Sequence, residues 1–161
     1  MKTMSILIVS GTHEVEKNID RKIKKARGAL FKLLGPVFSS KCMLSPEVQV
    51  HLYKVYVCPI ARSGLSALSI TDAQLKPLVS FHKKSLRGFL KLSERSPIPA
   101  LYFLTGELPI IAKVHMDVFS LFYNIWINPQ TEIFKLVQYL LKYSNEKSHT
   151  WCRYIRKLAC M

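Results

Sequence analysis

Apolar residues recur at three- and four-residue spacing along almost the whole chain, the pattern of helices buried on one face. Only the opening differs. Ile6-Leu7-Ile8-Val9 is a continuous apolar run, so residues 5–10 read as a short strand ended by Gly11. Over residues 15–34 the pattern turns helical. Ile19, Ile23, Ala26, Leu30 and Leu34 share one stripe, with a start at Thr12 or His13 and a stop at Gly35-Pro36. Ser45-Pro46-Glu47 then opens a second helix with a cap, a first-turn proline and an acid near the positive end of the dipole. Val48, Leu52, Val55 and Tyr56 are its expected buried face, and Pro59 with Gly64 closes or kinks it.

Thr71-Asp72 caps a third helix, with Pro77 tolerated near its beginning. Leu75, Leu78, Val79, Leu86, Phe89 and Leu90 are expected to face inward, and His82, Lys83, Lys84, Arg87 and Lys91 outward. Ser96-Pro97-Ile98-Pro99 is a stiff, extended joint, because proline disfavours helix in the residue before it. Beyond it come a short helix over residues 100–104, a stop at Gly106, a strongly apolar helix over 109–127 ended by Asn128-Pro129, and amphipathic helices over 131–143 and 148–160. The expected fold is therefore all-α with a short N-terminal strand. Residues 12–92 form a three-helix bundle and a smaller helical subdomain follows, with units 1–95 and 96–161 meeting at the Pro97/Pro99 hinge.

Length and composition are consistent with one packed core: 161 residues, 49% hydrophobic, eight Phe, seven Tyr and two Trp. No stretch of about eighteen apolar residues runs uninterrupted, so no transmembrane segment is expected. Residues 114–127 come nearest, broken by His115, Asp117 and Asn124. The opening apolar run is too short for a signal peptide. Cys42, Cys58, Cys152 and Cys160 lack CxxC spacing and the five histidines are scattered. No metal ligand set can be assembled, and an intracellular compartment, nucleus or cytoplasm, fits. The ten acids are spread singly, and neither a phosphate-cradling glycine loop, a GxSxG elbow nor an HExxH helix occurs. The residues offer no catalytic site, no metal site and no cofactor.

Charge changes the picture. Twenty-four Lys+Arg against ten Asp+Glu give a net +14, a self-repulsion that a polyanionic partner relieves. Seven bases stand against one acid between Lys17 and Lys32, which is not a mixed, salt-bridged face. Lys17, Arg21, Lys22, Lys24, Lys25 and Lys32 are therefore candidate phosphate contacts, with Lys83, Lys84 and Arg87 as a second group. The plainer alternative is an ordinary solvated helix face. The aromatic run Val118–Trp126 suggests a stacking platform or, better, core packing, and lone His51 and His115 read as core residues.

The run IDRKIKKARGALFKL, followed by SPEVQVHLYKVYVCPIARSGL and LKPLVSFHKKSLRGFLKLS, resembles the thumb of non-LTR (LINE-type) retrotransposon reverse transcriptases. Ile19-Asp20-Arg21-Lys22-Ile23 looks like the opening motif of that family's first thumb helix. Leu52-Tyr53 with Cys58-Pro59 and Gly64 matches the second, and Phe81-His82-Lys83-Lys84-Ser85-Leu86-Arg87-Gly88 the third. The later run SPIPALYFLTGELPIIAKVHMDVFSLFYNIWINP looks like the helical region downstream of the thumb. The family's aromatic-Leu-Gly primer-grip strand is not matched by residues 5–11, and its palm aspartates are not found in this sequence.

The resemblance implies a thumb-like fragment of an RNA-directed DNA polymerase that does not polymerise by itself, since two-metal chemistry needs those carboxylates. Its basic first helix would track the backbone of RNA, DNA or an RNA–DNA duplex without reading sequence. Two other expectations stay open: a helical protein-interaction or membrane-surface module, and a transposon remnant without selected function.

Overall fold

A computed structural model of the chain describes residues 12–39, 44–143 and 151–159. The expected N-terminal strand lies outside the described residues, and among these there is only helix and turn. The first helix, α1, runs Thr12–Ser39. Val15, Ile19, Ile23 and Ala26 are buried along its inner face, as their spacing predicts. The expected stop at Gly35-Pro36 is not observed, and the helix continues past the proline to Ser39.

The chain then builds α2 (Pro46–Leu52), a π-helical turn (Tyr53–Val57) and α3 (Cys58–Arg62) as one continuous helical segment. Ser45 caps it, its Oγ accepting from the Val48 N–H at 3.4 Å. The π-turn has a local cause. Pro59 has no N–H to give Val55 and its ring crowds that carbonyl, so the turn before it widens, and the Cys58 N–H donates to Tyr53 O. The buried face corrects the expectation. Val50, Tyr53, Val57, Cys58 and Ala61 are buried, whereas Val48, Val55 and Tyr56 are exposed. Two apolar stripes share this segment, and the π-turn keeps the second of them on the core side across Pro59.

Gly64, in the left-handed region at φ 72°, turns the chain into a 3-10 turn (Leu65–Ala67), and α4 spans Asp72–Phe89. The Thr71 N–H donates to Gln74 Oε1 at 3.0 Å at its start. His82, expected outside, is completely buried. Its Nδ1 lies 2.7 Å from the Tyr53 hydroxyl, and its ring stacks on Tyr102 at 6.0 Å between centroids. The hydroxyl partner is what makes a polar ring acceptable there.

The short helix α5 (Ile98–Thr105) ends on Gly106 at φ 60°, and α6 (Ile110–Ile127), α7 (Glu132–Tyr143) and α8 (Trp151–Ala159) complete the order. The core does not divide at the Pro97/Pro99 joint. Leu101, Ile110 and Val114 are buried in the same cluster as the residues of α1 to α4, and the Arg87 guanidinium donates to Ser96 O at 3.0 Å at the start of the joint. The second cluster begins only at Val118 and gathers Val137, Trp151, Cys152 and Ile155. The division therefore falls within α6, one continuous rod that serves both cores. The Trp151 indole N–H donates to Ser66 O at 2.7 Å and ties the second cluster to the 3-10 turn.

By length and composition α6 is apolar enough to cross a membrane. Its outer face is a stripe of exposed Met116, Phe119, Tyr123 and Trp126 at alternating three- and four-residue spacing, so the expected core packing accounts only for its inner face. His51 is exposed, not a core residue.

Candidate nucleic-acid interface

On a helix turning about 100° per residue, Lys17, Arg21, Lys24, Lys25 and Lys32 fall within an arc of about 100°, opposite the buried stripe. With a rise of about 1.5 Å per residue, the arc runs roughly 22 Å along the axis. All five are exposed, and among the described residues none is held in an ion pair. Glu14 lies in the first turn of α1, where the helix dipole accommodates a negative charge.

The acids that do form ion pairs sit elsewhere. Glu107, a buried residue of the α5–α6 connection, is held by Lys54 at 3.3 Å and by Lys113. Arg62 Nη1 donates to both carboxylate oxygens of Asp117, at 3.0 and 2.8 Å, and Lys135 pairs with Glu132 within α7. The α1 arc, with Glu14 its one acid and no ion pair among the described residues, therefore keeps a net positive charge, the electrostatic condition for attracting a polyanion.

The other candidate residues do not all join it. Lys22 lies beyond the edge of the arc, beside the buried stripe, where its ammonium donates to Ser63 Oγ at 3.0 Å and braces α1 against the end of α3. Arg87 is engaged with Ser96 O, and half-buried Lys83 stands one turn before it. Lys84 shares a surface with α1. With Arg27 it lines a groove of about 660 Å³ between α1 and α4, floored by Ile23 and Phe81. Arg27 belongs to the charge excess read from the sequence but was not singled out there. Phe31, four residues further on, was not found at all. Its only signal is an aromatic residue set well off the Ile19–Leu30 stripe and among bases.

Away from this surface, among the described residues, buried Tyr53, His82 and Glu107 gather with partly buried Lys54 and Lys113 in a cluster of titratable groups. Burial pushes the Tyr53 hydroxyl far up and the His82 imidazole down to about 4, so both rings are neutral at ordinary pH. Lys113 and Arg62 push the imidazole the same way. Glu107 opposes them, as does the Leu108 backbone, which makes no hydrogen bond of normal geometry with the ring. Cys58 and Cys152 are free and buried, and burial raises both thiols, which is packing chemistry rather than nucleophile chemistry. Among the described residues no three potential metal ligands converge. Cys42 and Cys160 lie outside the described residues.

Comparison with family models, with curated proteins and with solved structures gives no match.

Proposed function

We propose that this chain binds nucleic acid without sequence preference, the exposed cationic arc of α1 lying along the phosphate backbone in a thumb-like role. The observation that carries the reading is the exposed run Lys17, Arg21, Lys24, Lys25 and Lys32, free of ion pairs among the described residues, on one face of a single helix. The ordered motif resemblance to LINE-type reverse transcriptase thumbs supports the same reading and suggests a retrotransposon-derived polymerase as its source. RNA, DNA and an RNA–DNA duplex all present the backbone such a face requires. A filter-binding titration over a salt series tests it. Affinity that falls steeply between low and moderate salt supports phosphate contacts, and affinity that barely moves contradicts them.

A second reading, an interaction module at a membrane surface, is favoured by the exposed apolar stripe of α6. Trp126 and Tyr123 are residue types suited to the headgroup boundary. On this reading the protein co-sediments with phosphatidylserine-containing vesicles, and the double variant Phe119→Ser/Trp126→Ser stays in the supernatant. Wild-type protein remaining in the supernatant rejects it.

A further inference from the structure

We infer that the groove between α1 and α4 takes a single nucleic-acid strand, with a base laid on Phe31 and the adjoining phosphates held by Arg27 and Lys84. This deepens the nucleic-acid reading above and rests on it. Phe31 is 68% exposed although it lines the groove, so its ring forms a rim that water covers on one side. On the wheel of α1 it falls between Arg27 and the Lys17–Lys24 edge of the cationic arc. An exposed aromatic face interleaved with cations is how proteins hold single strands, because every base has a flat apolar face and every nucleotide a phosphate.

A duplex does not fit this groove. Its bases are already stacked on one another, leaving the phenyl ring nothing flat to cover it, while its phosphates suit the convex ridge of the arc. The apolar floor of Ile23 and Phe81 gives a base or sugar edge something to bury against. Asp20, exposed at the N-terminal side of the groove, discriminates among anionic partners. It repels phosphate, which confines the anion contacts to the Arg27–Lys84 end, and it can accept a hydrogen bond from an exocyclic amino group of a base. An acidic peptide has no use for that carboxylate, so a strand is the better occupant.

Fluorescence anisotropy with the full chain tests this. The probes are a labelled single strand of about 20 nucleotides, the same sequence as a duplex, and labelled poly-glutamate. Phe31 is exposed, so Phe31→Ala leaves the core intact. The wild type is expected to bind the single strand more tightly than the duplex. Phe31→Ala is expected to weaken single-strand binding by about 5- to 100-fold and to leave duplex binding within about twofold, while Phe31→Tyr restores it. Single-strand affinity unchanged by Phe31→Ala, or an equal loss on both forms, overturns the assignment. So does poly-glutamate binding that depends on Phe31 when strand binding does not. If neither oligonucleotide binds, the nucleic-acid reading itself falls. If both bind with steep salt dependence while Phe31 is silent, only the groove assignment falls.

Discussion

Lowering the pH from about 7.5 to about 4 is expected to cost the fold on the order of 3 kcal/mol through His82 alone. The folded-state imidazole is pushed down to about 4, chiefly by burial, against about 6.5 for histidine in an unfolded chain. Between those values the unfolded chain binds a proton that the folded chain refuses. Stability from this group is therefore fully present above about pH 6.5, is lost as the pH falls toward 4, and levels off below. The physical origin is a fully buried ring, wedged between Tyr53 and Tyr102 and bonded to the Tyr53 hydroxyl. Urea unfolding at a series of pH values measures it. His82→Leu starts from lower stability but is expected to lack the slope between pH 6.5 and 4. Parallel curves for the two proteins would remove His82 as the cause.

Reversing charge on the α1 arc is expected to have an effect of similar size on binding. The triple variant Lys17→Glu/Arg21→Glu/Lys24→Glu should lose roughly 10²- to 10³-fold in affinity for a DNA duplex near 0.1 M salt, since each lost phosphate contact removes about 0.9 from the slope of log affinity against log salt. All three side chains are exposed, and among the described residues none forms an ion pair, so the fold should tolerate the change with its melting temperature nearly unmoved. Lys22→Gln and Arg87→Gln are the matching controls. Lys22 is tied to Ser63 and Arg87 to Ser96, so these substitutions loosen braces rather than remove phosphate contacts, and the slope should stay at its wild-type value. A slope that drops equally in the controls would mean that charge on the whole molecule, not the arc, is being read.

The helical character of the chain was legible because its strongest stripes are unambiguous. In α1 only one set of positions, Val15 through Ala26, satisfies three- and four-residue spacing, so the buried face and the basic face were both readable. In VQVHLYKVYV two interleaved sets satisfy it, and hydropathy alone cannot choose between them. The choice is made by contacts distant in sequence, Tyr53 with His82 and with Phe89, and by the π-turn that Pro59 imposes. His82 was misplaced for the same reason, because its burial depends on a hydroxyl 29 residues away.

The grouping of the site was legible only in part. Seven bases between Lys17 and Lys32 could be counted from the sequence, but Lys22 and Lys24 lie two positions apart and so on different sides of a helix, one bracing the fold and the other facing solvent. That Lys84 and Arg27 share a groove follows from how α1 and α4 cross, which no local pattern records. Residues 90–97 do interrupt the helix, although Pro99, expected in the extended joint, already lies in the first turn of α5, and a break in helix is not a break in core. Leu101 and Val114 bury themselves on the near side regardless.

The most direct measurement is the slope of log affinity against log salt for one DNA duplex, wild type beside the Lys17/Arg21/Lys24 charge-reversed protein. Five phosphate contacts from the α1 arc give a wild-type slope near −4.5, an affinity loss on the order of 500-fold between about 50 and about 200 mM salt, and the triple variant should flatten the slope to about −2. A wild-type slope near zero, or the same slope in both proteins, would contradict a phosphate-binding α1.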